Sequence, residues 1–154
     1  MNYFLKILGD TNMHAGDPIP FFEDSGSIFW ESECTILFSN VAAGMVCKGD
    51  ILIQYIPKGF KNKEWAGRVI GCYRATSNVK CSPYMAPFGK AFNYFCDVEN
   101  LTPKFANRAK CSTFVYIDEL GIPLTGSLQS GIKRLTHEQG EMVVGFIERL
   151  EEKL

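Results

Sequence analysis

Between residues 46 and 75 the chain sets a Lys48-Gly49-Asp50 turn before an apolar run at 51–56, continues through a basic loop containing Trp65, and resumes in a second run at 67–75. Gly49-Asp50 and Pro57-Lys58-Gly59 bound the first run, and Gln54 is its only polar side chain. That pattern predicts a strand buried on most of its surface. The second run alternates Arg68, Ile70, Cys72 and Arg74 with Val69, Gly71 and Tyr73. Uninterrupted alternation places both arginines on one face of the sheet.

Further strands are expected at 3–8, ended by Gly9-Asp10, at 93–98 and at 113–117. Asp17-Pro18-Ile19-Pro20 blocks regular structure, because neither proline has an amide to donate. Residues 33–46 are compatible with a helix leading to Gly49, while Ile36-Leu37-Phe38 reads equally well as strand. Residues 81–90, with two prolines and a glycine, are expected to form an irregular excursion. The last helix is clearest: Thr136-His137-Glu138-Gln139 is a capping box, followed by an apolar stripe of Met142, Val143, Phe146, Ile147 and Leu150.

A chain of 154 residues fits one domain, 1–154, able to bury roughly 70% of its unfolded surface. Its net charge of -1 is unevenly spread: residues 1–50 carry -5, residues 97–154 carry -2, and residues 51–96 set seven cations against Glu64 alone, +6. Screening beyond a Debye length of about 8 Å lets such a segment attract phosphate on a nearly neutral molecule. It is equally compatible with a solvated basic loop. Six cysteines at 34, 47, 72, 81, 96 and 111 contain no CxxC pair, so no zinc knuckle, metal site or redox motif is indicated, and no cofactor motif is present. Reduced cysteines in a cytoplasmic protein are expected. The first eight residues lack a signal-peptide pattern, and no run of about 20 apolar residues offers a membrane span.

Several segments, taken in order, resemble the EVE domain, a branch of the PUA-like superfamily that also includes YTH and ASCH domains. They are Phe29-Trp30, residues 41–50 feeding 51–55, Gly67-Arg68-Val69-Ile70-Gly71, the strand at 92–98, and Gly131-Ile132-Lys133-Arg134-Leu135-Thr136 before the last helix. The resemblance implies an α+β fold, a PUA-like small mixed β-barrel flanked by helices and closed by a C-terminal helix. It also implies nucleic-acid binding, with a modified base flipped into an aromatic pocket.

A flipped base has lost its stacking partners, so a protein that holds it must supply flat apolar faces and polar groups for its edge. Trp30 and Trp65 are the candidate stacking residues, with Tyr55 leading into the same loop as Trp65. Each tryptophan is equally readable as core. Ser39 and Asn40 are candidates for the base edge, and Lys58, Lys61, Lys63 and Arg68 for the phosphates of RNA or DNA. No catalytic constellation stands out, so a non-catalytic reader is expected. The alternatives are an ASCH-like enzyme acting on a nucleotide or small molecule, with Cys81 or His137 as its reactive group, and a protein-interaction domain.

Overall fold

The computed structural model describes residues 1–7, 35–38, 41–59, 63, 66–85, 91–106, 115–122 and 131–154. Its strands are β1 (Tyr3–Ile7), β2 (Thr35–Phe38), β3 (Ile51–Tyr55), β4 (Arg68–Ala75), β5 (Lys80–Met85), β6 (Ala91–Asn100), β7 (Val115–Tyr116) and β8 (Ile132–Leu135). A 3-10 helix at Val41–Met45, a single turn α1 at Pro103–Ala106, a 3-10 turn at Ile117–Leu120 and the long helix α2 at His137–Lys153 complete it. Within the 33–46 segment, Thr35–Phe38 is thus a short strand and Val41–Met45 a 3-10 helix.

The strands form one mixed sheet in the order β2-β6-β4-β3-β1-β8, with β5 added on β6 and β7 on β4. β1 and β3 run parallel, and every other pair is antiparallel. β2 and β1 lie four strand steps apart, about 19 Å in a flat sheet. Yet the Lys6 ammonium, on β1, lies 6.0 Å from the ring centroid of Phe38, on β2. The sheet is therefore curled into a half-barrel, and the face carrying Lys6 and Phe38 is its inside. The architecture is an α+β small barrel-like fold.

Register sorts the core into two layers. Tyr3, Leu5, Ile51, Ile53 and Cys72 share the outer face, which α2 covers through Gly140, Val143 and Ile147. Phe4, Leu52 and Tyr73 share the inner face with Ile36, Phe38, Cys96 and Val98. Covered on both sides, β3 is buried along its whole length, which explains its nearly unbroken apolar sequence.

Several sequence expectations change here. Residues 80–85 are a strand rather than an irregular excursion. Among the described residues β5 pairs only with β6, and its register slips between Cys81 and Tyr84, so Pro83 sits in a bulge where its missing amide breaks no ladder bond. Residues 132–135 form an unforeseen strand on β1. The strand expected at 113–117 is observed at Val115–Tyr116, and the chain then turns through Ile117–Leu120 to Gly121 at φ 66. The capping box is present, with the Thr136 hydroxyl accepting from the Gln139 amide and Gln139 Oε1 accepting from the Thr136 amide, both at 3.1 Å. Met142 leaves the expected stripe and is 43% exposed, because it sits about 100° around the helix from buried Val143.

Candidate nucleic-acid interface

The loop between β3 and β4 begins with a bulge. Gln54 pairs with Gly71 but Tyr55 pairs with Val69, which leaves Ile70 as the extra residue of β4. One inserted residue reverses the facing of everything beyond it. Arg68 consequently shares the inner face with Gly71 and Gln54, while Arg74 pairs with Ile51 and shares the outer face. The expectation that both arginines lie on one side is corrected by this bulge.

At that end of the sheet Arg68 stacks on its β7 partner Tyr116, the guanidinium carbon 3.8 Å from the ring centroid, and donates from Nη2 to the Tyr116 hydroxyl at 2.5 Å. Tyr116 is 38% exposed. Lys58 lies against the same corner: a Cβ built on Gly67 would fall 3.4 Å from the Lys58 side chain and 3.8 Å from the Tyr116 ring. Lys58 Nζ pairs with Asp118 at 2.7 Å, and Lys63 Nζ donates to the Lys58 carbonyl at 3.4 Å. Three of the four residues expected to meet phosphate are thus brought together.

Other members of the basic segment are neutralised by acids that arrive from elsewhere in the chain. Arg74 pairs with Glu99 at 3.7 Å and Lys80 with Asp97 at 2.8 Å. The +6 of the linear segment therefore overstates the cationic surface, since Lys58, Arg74 and Lys80 each meet an acid from a distant part of the chain.

Tyr55 is corrected as a stacking residue. It is 1% exposed, and its pairing with Val69 turns the ring to the outer face, away from the barrel interior. Burial raises its phenol above the ordinary value, partly opposed by a backbone hydrogen bond at Lys58. Trp30, Ser39, Asn40, Lys61 and Trp65 lie outside the described residues.

Two polar residues without any recognised motif occupy the interior. Lys6 and Gln54 are register partners across the parallel β1/β3 pair, 3% and 0% exposed. Neither the oxygen nor the nitrogen of the Gln54 amide has a hydrogen-bond partner among the described residues. Asn100 lies on the same face beside Tyr73; its Oδ1 accepts from the Thr102 amide at 3.0 Å, while its Nδ2 is also unpartnered among the described residues. The one sequence signal for Gln54 is its isolation as a polar side chain in an apolar strand. Only the register reveals that Lys6 stands beside it.

Among the described residues no group of three or more His, Cys, Asp or Glu is arranged to hold a metal ion. His137 meets Tyr3 edge-on, with ring centroids 5.7 Å apart, and Cys81 is exposed on β5. The described cysteines 47, 72, 81 and 96 are free thiols. Burial pushes the Cys96 thiol up to about 11, and pushes that of Cys72 higher still. A thiol-specific reagent at pH 8 is accordingly expected to modify Cys47 and Cys81 in the native protein and to reach Cys72 and Cys96 only after unfolding.

The same shift sets an alkaline limit on stability. A raised folded-state value means that the native state holds its proton more tightly than the unfolded chain. The Cys96 contribution is complete below pH 9 and lost as pH climbs toward 11. Denaturant midpoints should fall steeply over that window, and less steeply in Cys96→Ala; a flat profile would refute the assignment.

Fold and site together define a small mixed half-barrel with a polar pair in its interior and a cation-bearing corner at one end. No family model and no curated protein matches the chain. Among solved structures it is similar to the NMR structure of Rpa0253 from Rhodopseudomonas palustris, at 11% identity over 100% of this chain and 95% of that chain, with a TM-score of 0.43. No described helix is long and apolar enough to cross a membrane.

Proposed function

We propose that this protein is a non-catalytic nucleic-acid reader of the EVE type, working in the cytoplasm. It grips the backbone of a single strand at the corner formed by Lys58, Lys63 and Arg68, and it draws one base, modified in the preferred ligand, toward the barrel. The observation that carries this reading is the β4 bulge, which turns Arg68 onto the inner face at the end of the sheet where Gln54 lies. Cations and a tyrosine ring at the end of a largely apolar interior that holds Lys6 and Gln54 suit a ligand that is anionic along its backbone and flat at its base. The guanidinium stacked on Tyr116 is held in place, and its planar, permanently charged fork is of the kind that suits phosphate.

The test is salt-dependent binding of single-stranded RNA and DNA oligonucleotides, followed by fluorescence anisotropy. Three phosphate contacts predict a slope of about -2 in log affinity against log salt, a loss of roughly 15- to 20-fold between 50 and 200 mM. Arg68→Ala should weaken binding and flatten the slope by about 0.7. Affinity unaffected by salt would exclude this reading and favour a protein-interaction surface, and turnover abolished by substitution of Cys81 or His137 would favour an enzyme.

A further inference from the structure

Building on the reader proposal, we infer that Lys6 and Gln54 form a recognition site inside the half-barrel for the lactam edge of a base, a ring carbonyl beside a ring N–H. A buried primary amide with both of its polar atoms unpartnered is rare in native interiors, because each unmade bond leaves its full desolvation cost in place. Such a group fits a ligand that completes it. The Gln54 amide offers one acceptor and two donors in a plane, and the Lys6 ammonium beside it offers donors only.

A ring N–H would donate to Gln54 Oε1, and the adjacent carbonyl would accept from Gln54 Nε2 and from Lys6 Nζ. A base with an amino group at that position, as in adenine or cytosine, would set its N–H donors against the ammonium. The site thus selects uracil-type and guanine-type edges. Phe4 and Phe38 supply apolar walls on the same face, and Gly71, the β4 partner of Gln54, adds no side chain there. β2 and β8, at the two ends of the sheet, share no ladder among the described residues. A base entering between them would part side chains without breaking any backbone pairing of the described strands.

Gln54→Met provides a signature that an ordinary structural residue would not give. It keeps the side-chain length and removes the unpartnered amide, so the ligand-free variant should melt about 2–4 °C higher than the parent. Calorimetric titration with uridine, guanosine, adenosine and cytidine should show the first two binding at least tenfold tighter to the parent, the scale of one well-made bidentate contact. Gln54→Met should erase that difference. A lower melting temperature in Gln54→Met, or no preference among the nucleosides in the parent, would overturn this inference. Salt-dependent oligonucleotide binding in a parent protein that shows no preference among the nucleosides would overturn it while leaving the reader proposal standing. Nucleoside selectivity without any oligonucleotide binding would do the reverse.

Discussion

Gly140→Ala is expected to lower the melting temperature by about 6–12 °C and to remove much of the folded protein at physiological temperature. A Cβ at residue 140 would fall 2.0 Å from Tyr3 Cγ and 2.5 Å from Tyr3 Cβ. Those atoms form the root of the ring, fixed to the backbone of β1, so no rotamer change clears them. Helix α2 would have to lift, loosening Val143 and Ile147 from the outer face of the sheet. Overpacking of this kind costs about 3 kcal/mol or more, a large share of the 5–15 kcal/mol that typically holds a domain. Gly145 is the internal control: the nearest atom to a Cβ there is Arg149 Nη1 at 3.5 Å, at the end of a flexible side chain. Gly145→Ala should therefore stabilise by up to about 1 kcal/mol through helix propensity. Thermal melts of the two variants should move in opposite directions. Tyr3→Ala combined with Gly140→Ala should recover part of the loss, and strict additivity would contradict the contact.

Asp50→Ala is expected to cost about 3–5 kcal/mol, read as a fall in the urea midpoint at unchanged slope. Its buried carboxylate accepts from the Asn2 amide through Oδ1 and from the Cys47 amide through Oδ2, both at 2.9 Å. Bonds to a charged acceptor are each worth about 1.5–3 kcal/mol, and truncation strands both donors. The backbone of the same residue accepts from Ala75, while Ile51 donates to Asn2. Asp50 therefore ties the entry of β1 to the turn before β3 and to the end of β4. Gly49, at φ 94, takes the left-handed conformation that the turn requires. Asp50→Asn keeps one acceptor oxygen and should lose roughly half as much. A variant within 0.5 kcal/mol of the parent would contradict this role.

The Lys48-Gly49-Asp50 turn shows why part of this fold was legible in the sequence. Turns, caps and apolar runs are written in neighbouring residues, so β1, β3, β4, β6 and the Thr136 cap follow from local pattern. Features set by distant partners do not. No local rule marks Ile70 as the extra residue of a bulge, so simple alternation assigns Arg68 to the wrong face. Ile132–Leu135 is a four-residue strand with two cations at its centre, and it becomes a strand only because β1 offers an edge. Charge counted along the chain missed that Asp118, Glu99 and Asp97 return to meet Lys58, Arg74 and Lys80.

The candidate site was legible to the same uneven degree. Lys58, Lys63 and Arg68 sit within eleven residues of sequence, and their gathering follows from the loop that joins two paired strands. Tyr55 was misplaced because strand facing depends on register, which aromatic character does not disclose. Lys6 and Gln54 are each a single polar residue in an apolar strand. That pattern signals either a satisfied buried group or a ligand site, and only the pairing of β1 with β3 joins them into one feature.

The central claim is that backbone contact at the corner and base contact in the interior belong to one binding event. It is tested most directly by a 1H–15N NMR titration with a single-stranded oligonucleotide containing uracil and guanine, following the Gln54 side-chain amide and the Arg68 side chain together. Both signals should shift and saturate at the same molar ratio, with the Gln54 resonances moving as its amide acquires partners. Saturation that moves Arg68 but leaves the Gln54 amide unchanged, or that moves neither, would contradict it.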